Sequence, residues 1–201
     1  MGKCIIFCAG GFAGLTEPIA ENDYLIAADG GFRHTQALGL TPDCILGDFD
    51  SLGFVPENAR VFPVEKDDTD AMLAVRHGLS LGYRDFVIYG GLDGDRVDHT
   101  VANLQTLLFL AQQGATGRFV GRTQVATLLK NDTLRLTAPK GTVSVFALGG
   151  DASGVTIKNL HYEAENITLT PHFPLGVSNH SIGKDATISV ADGTLLIIYD
   201  R

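Results

Sequence analysis

The strongest constraint on this chain is an alternation. Over about the first 120 residues, apolar runs of a few residues alternate with stretches that repeat apolar side chains at helical spacing. The runs at 4–8, 24–28, 44–46, 60–64, 86–89 and 118–120 predict strands, and 32–38, 70–81 and 97–113 predict helices. In the second helix Ala71, Val75 and Leu79 recur at i, i+4 and i+8, and in the third Val101, Leu104, Leu107, Leu108 and Leu110 form a similar stripe. Repeated strand–helix units bury a parallel sheet between helices, so this half reads as an α/β fold.

After about residue 125 the period changes. Short β-type runs at 133–136, 142–146, 155–157, 167–169, 186–190 and 194–199 follow one another, separated by turn residues and by no convincing helix. Regular short strands of this kind predict a small antiparallel sandwich or barrel. The expected organisation is an α/β domain with a mostly parallel sheet over 1–125 and an all-β sandwich over 126–201, the boundary falling within 121–131. With 201 residues the chain is long enough for both to have cores.

The net charge of −8 argues against a nucleic-acid partner, which requires a basic face. It does not exclude a nucleotide, since a metal ion bridges acidic protein to acidic ligand. The three cysteines are odd in number and form no CxxC pair, which predicts buried free thiols in a reducing compartment. The opening MGKCIIFCAGG is too short and too weakly basic for a signal peptide, and no apolar run approaches the ~20 residues of a membrane span. A cytoplasmic protein with no membrane partner is expected.

The segments at the ends of the strands narrow the function. The successive strands run into Ala-Gly-Gly, into Asp29-Gly30-Gly31, into Gly47-Asp48-Phe49-Asp50-Ser51, into Lys66-Asp67-Asp68-Thr69-Asp70, and into a Gly-Gly-Leu-Asp-Gly-Asp-Arg-Val-Asp-His stretch ending at His99. In an open parallel sheet the carboxyl ends of the strands share one edge, and ligands bind in the crevice there. Glycines let backbone N–H groups approach phosphate oxygens. Clustered carboxylates repel unless a cation sits among them, and Mg²⁺ is the natural one for an all-oxygen site shared with phosphates. Asp29 by itself reads first as a turn residue, and Thr69 or a neighbouring acid also suits a helix cap. In GDFDS the two alternating acids point to the same side of an extended chain. His99 and Asn103 share a helix face at i and i+4. Neither GxxxxGK[ST] nor GxGxxG occurs, so the common P-loop and dinucleotide-binding readings lack support.

In this order, ADGG, GDFDS, KDDTD and GGLDGDRVDHTVAN resemble the thiamine pyrophosphokinase family. KNLHYEAENITL and GVSNHSIGKDATISVADGTLLII resemble its closing segments, so the resemblance spans nearly the whole chain. It implies transfer of a pyrophosphoryl group from ATP to the hydroxyl of thiamine, giving thiamine diphosphate and AMP, by a homodimer that holds thiamine near the subunit interface. It also implies that Asp48, Asp50, Asp67 and Asp70 are the Mg²⁺-site acids. Asp29, Arg96, Asp98, His99 and Asn103 would lie around the nucleotide, and Ser178 and Asn179 would contact the aminopyrimidine of thiamine. Arg96 suits the phosphates because its planar fork matches their oxygens, and Asp70 or Asp98 is the candidate to accept the attacking alcohol's proton.

Two features depart from the family pattern. Asp68 beside Asp67 leaves the first ligand open by one position, and the chain has no tryptophan to lie against thiamine, with His180 a weak substitute. Two other readings of the same acidic edge stay open at this stage. One is a Mg²⁺-dependent phosphohydrolase acting on a nucleotide or phosphate ester, and the other is a binding module without turnover.

Overall fold

The computed structural model describes residues 2–63 and 67–201. The chain divides into two compact units, Met1–Arg122 and Thr123–Arg201. The first contains β1 (Cys4–Phe7), β2 (Tyr24–Ala28), a 3₁₀ turn (Asp29–Gly31), α1 (Phe32–Ala37), β3 (Cys44–Gly47), β4 (Arg60–Val61), α2 (Asp70–Ser80), β5 (Asp85–Tyr89), α3 (Val97–Gln112) and β6 (Thr116–Val120). Its strands lie in the order β6-β5-β1-β2-β3-β4, and every pair is parallel. β1 is buried along its whole length, and only Asp85 of β5 is not, as expected for strands covered on both faces. The expected strand over 60–64 is described at Arg60–Val61; residues 64–66 lie outside the described residues.

This order contains a switch point. From β1 the chain moves one way through β2, β3 and β4, then returns to place β5 and β6 on the other side of β1. The loops leaving β1 and β5 therefore diverge, and a crevice opens outside their carboxyl ends.

The helices cover the sheet much as their periodicity predicts. Thr69 caps α2, its hydroxyl accepting from the Met72 N–H at 3.2 Å. Ala71, Ala74, Val75 and Gly78 are buried; a Cβ on Gly78 would lie 2.7 Å from Cys4 Sγ and from the Phe86 ring. On α3, Leu107 and Leu110 are buried, but Val101 is 52% exposed and does not join the stripe. Among the described residues no helix is long and apolar enough to cross a membrane.

The second unit is a sandwich. One sheet has β7 (Gln124–Lys130), β9 (Thr142–Ala147), β12 (Gly176–His180) and β14 (Thr194–Asp200) in the order β12-β9-β14-β7. The other has β8 (Thr133–Leu136), β10 (Ala152–Lys158), β11 (Ala164–Leu169) and β13 (Ala186–Ser189) in the order β11-β10-β13-β8. All these pairs are antiparallel. Val143, Val145, Leu195 and Ile197 of the first sheet share one core with Val155, Ile157, Ala186 and Ile188 of the second. Two strands were not expected from the sequence. β7 occupies the interval expected to hold the domain boundary, and β12 is built from Gly-Val-Ser-Asn-His.

The three cysteines are free and buried. Burial is the main cause pushing the Cys4 and Cys8 thiols up to about 12, with nearby Asp70 and Asp29 adding to the effect at Cys8. In an unfolded chain these thiols ionise near ~8.5. The folded state holds the proton longer, so this contribution is complete below that pH and is lost as pH rises toward 12. The urea midpoint is expected to fall between pH 8 and pH 10.5, and to fall less in Cys8→Ala. An equal fall in that variant would remove Cys8 as a cause.

Candidate active site

The crevice at the switch point is a cleft of about 620 Å³. Its floor and walls are the segments that follow β1, β2, β3 and β5, together with the first turns of α2 and α3. Glycine makes this convergence sterically possible. A Cβ on Gly10 would sit 2.5 Å from the Gly90 carbonyl oxygen, and one on Gly90 would sit 2.4 Å from that of Cys8. The Gly10 N–H instead donates to the Gly90 carbonyl at 2.9 Å, joining the two diverging loops by main chain alone.

The carboxylates gather on the β2–β3 side. Asp29 follows β2 directly, is 7% exposed and has a φ of 47°, a left-handed conformation that non-glycine residues seldom adopt. Gly47 lies against it: a Cβ there would be 3.0 Å from the Asp29 backbone. Phe49, buried with a φ of 60°, turns the loop after β3 so that Asp48 and Asp50 face Asp29. Oxygens of Asp29, Asp48 and Asp50 all come within 4.8 Å of one another. The Ser51 hydroxyl donates to Asp29 Oδ2 at 2.6 Å, while Asp29 Oδ1 is buried with no hydrogen-bond partner among the described residues. A buried, unpartnered carboxylate oxygen is costly. Three carboxylates converging around it form a hard-oxygen donor set, which fits a divalent cation.

Most other candidates also reach the cleft. Asp70, Arg96, His99 and Asn103 line it, and the Asn103 amide donates to the Gly91 carbonyl at 2.7 Å. Asp67 is not among the lining residues, whereas its neighbour Asp68 is. Asp68 already has a partner, because Arg76 Nε lies 3.1 Å from it and the Arg76 guanidinium rests over the Phe109 ring at 5.0 Å. Asp98 is exposed and does not line the cleft. Arg96 grips it through two bonds, Nε to Oδ1 at 3.2 Å and Nη2 to Oδ2 at 2.6 Å. The bond from Arg96 is the largest cause holding the Asp98 carboxyl below its usual range, which makes it a poorer base.

Ser178 and Asn179 belong to the second unit. Ser178 is exposed with a φ of 57°, at an irregularity where β12 shifts register against β9. Asn179 is buried and turned inward. Its Oδ1 accepts from the N–H groups of Tyr162 and His180, each at 2.9 Å, and its Nδ2 donates to the Tyr162 carbonyl at 2.7 Å. Tyr162, held in this way, is 63% exposed, and its ring meets that of His161 edge-on at 4.6 Å. His180 is exposed beside them.

An open parallel sheet whose switch-point cleft combines bare main chain with converging carboxylates suits an enzyme that handles phosphate groups with a divalent cation. The model of the thiamin pyrophosphokinase catalytic domain matches residues 15–116, and that of the thiamin pyrophosphokinase vitamin B1 binding domain matches 132–195. The chain belongs to the thiamin pyrophosphokinase family. The thiamine pyrophosphokinase of Bacillus subtilis superposes with a TM-score of 0.85 at 24% identity, covering 100% of this chain and 99% of that one. A thiamin pyrophosphokinase family protein from Enterococcus faecalis gives 0.80 at 25%, covering 100% and 99%. The enzyme of Candida albicans gives 0.73 at 15%, covering 100% and 89%. No curated protein matches the sequence. The activity is that of a thiamine diphosphokinase, a transferase that moves the pyrophosphoryl group of ATP to thiamine, and this sets the phosphohydrolase alternative aside.

Proposed function

We propose that the first unit binds ATP and Mg²⁺ in the switch-point cleft and that the second unit binds thiamine. The observation that supports the metal most directly is the buried, unpartnered Asp29 Oδ1 facing Asp48 and Asp50. Asp29, Asp48 and Asp50 would hold the ion, and Asp70 lines the same cleft. Mg²⁺ bound there would neutralise phosphate charge that otherwise repels an incoming alcohol. This differs from the set implied by resemblance, because Asp29 takes the place given to Asp67.

The remaining roles belong to side chains and main chain. The bare glycine backbone at Gly10, Gly90 and Gly91 lets the phosphate chain lie close to the sheet edge. Arg96 faces the cleft while Asp98 fixes its guanidinium, so Asp98 acts through Arg96. Asp70 is then the acid placed to take the proton of the thiamine hydroxyl as it attacks the β-phosphorus, with AMP leaving. In the second unit Ser178 presents its hydroxyl to thiamine, and Asn179 shapes the surface by fixing Tyr162. Ser178→Ala is expected to raise the KM for thiamine by about tenfold, the worth of one hydrogen bond, with the KM for ATP unchanged. A steady-state series in both substrates checks this.

A ³¹P NMR time course with ATP, thiamine and Mg²⁺ tests the whole reading. AMP and a diphosphate ester are expected together, and only with thiamine and metal present. Turnover undiminished by a chelator would overturn the metal assignment.

The second unit also exposes Tyr162, Phe173, Leu175, Val177 and Ile182 within a short stretch of chain. Apolar surface of that kind fits a homodimer contact, and a light-scattering mass of a single chain would refute it. The three unbridged, buried thiols suit a reducing, cytoplasmic setting. Fractionation of the native cells is the check, and a protein found outside the cytoplasm would contradict that setting.

A further inference from the structure

Two adjacent residues of α1 hold two of the loops that form the cleft. His34 Nε2 lies 2.9 Å from the Gly10 carbonyl oxygen, in the loop after β1. Arg33 Nη2 donates to the carbonyls of Ser51 and Leu52 at 3.1 and 3.2 Å, in the loop after β3 that carries Asp48 and Asp50. The helix they share begins directly after Asp29-Gly30-Gly31. None of the motifs found in the sequence includes either residue, and neither lines the cleft.

Each contact has a consequence for the site. In a trans peptide the C=O and the next N–H point in opposite directions. Fixing the Gly10 carbonyl on His34 therefore fixes the direction of the Gly11 N–H. The preceding peptide is held as well, because the Gly10 N–H donates to Gly90, so Gly10, which lines the cleft, is anchored on both sides. His34 is itself held: its ring packs 5.1 Å from that of Phe12, which meets the rings of Phe7 and Tyr89 edge-on. The loop after β3 has a left-handed turn at Phe49, with the Asp50 N–H folded back on Asp48 Oδ1 at 3.3 Å. Arg33 closes the far end of that turn, so the separation of Asp48 and Asp50 from Asp29 depends on it.

We propose that Arg33 and His34 are positioning residues for pyrophosphoryl transfer. His34 orients the main chain that faces the phosphates, and Arg33 sets the spacing of the metal-site acids. This rests on the metal and ATP reading above. Because the two act on different loops, they have separable signatures. His34→Ala is expected to raise the KM for ATP about tenfold while leaving Mn²⁺ affinity, measured by electron paramagnetic resonance without nucleotide, within about twofold. His34→Gln, which keeps an N–H donor, is expected to restore most of that KM. Arg33→Met is expected to weaken Mn²⁺ binding about tenfold in the same nucleotide-free titration, and Arg33→Lys to recover part of it.

A generally loosened fold would move both readouts together in either variant and would not respond to glutamine. That pattern, or unchanged values in both variants, overturns the proposal. The wild-type titration stands apart from this. Wild-type protein that fails to bind Mn²⁺ refutes the metal reading itself, whereas wild-type protein that binds and turns over leaves it intact whatever the variants do.

Discussion

Asp50→Asn is expected to lower kcat by about a thousandfold, the scale on which a lost electrostatic contact to the reacting centre is felt, while the fold survives. Asp50 is exposed and belongs to the acid cluster, so the amide occupies the same space and disturbs no packing. What is lost is one negative charge of the three that converge, together with an anionic oxygen donor. Asp29 and Asp48 remain, so a weakened metal site is expected rather than none. Raising Mg²⁺ is therefore expected to recover part of the rate. The measurement is AMP formation against Mg²⁺ concentration, beside a thermal melt. An Asp50→Asn enzyme with wild-type turnover would remove the acids after β3 from the mechanism.

Gly31→Ala is expected to have the largest effect on stability, for a purely steric reason. The backbone at Gly31 is helical, with a φ of −58°, so alanine meets no conformational objection. Its Cβ, however, would sit 1.8 Å from the carbonyl oxygen of Phe7, where backbone faces backbone and no side chain can swing aside. Either β1 or the start of α1 has to move. Overpacking of this kind costs about 3 kcal/mol or more, which for a chain of this size lowers Tm by ~6–12 °C. Gly39→Ala serves as the comparison. No atom lies within 4 Å of a Cβ there, so its loss arises only from the φ of 66° and is expected to be smaller. Differential scanning calorimetry of the two variants separates steric from conformational effects, and a Gly31→Ala protein melting at or above Gly39→Ala would refute the packing account.

How far the sequence foretold this molecule depends on what each residue had to do. The strands of the parallel sheet were visible because burial on both faces demands an unbroken apolar run, as in Cys4–Phe7 and Tyr24–Ala28. The loops were visible because glycine and aspartate are poor choices for anything but a site or a turn. β12 was missed because Gly176, Ser178 and Asn179 carry no strand preference; its pairing with β9 is imposed by tertiary contact and broken by an irregularity. β7 was missed because it lies where a change of period was read as a linker, although it pairs with β14 at every residue.

The same division runs through the site. Asp48 and Asp50 stand out because two acids alternate within one short loop. Asp29 reads as half of an Asp-Gly turn, and only the fold brings its carboxylate within reach of the other two. The choice between Asp67 and Asp68 depends on the start of α2, which a motif cannot supply to within one residue. The inward turn of Asn179 is likewise a matter of packing. Arg33 and His34 left no signal, since each acts through a carbonyl oxygen and carbonyl oxygens are the same at every position.

The joining of Gly10 to Gly90 by main chain has a consequence for anyone who would redesign this enzyme. Where a pocket is walled by side chains, its preference can be altered by exchanging them. Here the seat between β1 and β5 presents peptide groups, and any side chain added at Gly10 or Gly90 collides with a neighbouring carbonyl. That surface is closed to point mutation. With the nucleotide seated in this cleft as proposed, new preferences have to be sought in the first turn of α3, at His99 and Thr100, where side chains line the cleft.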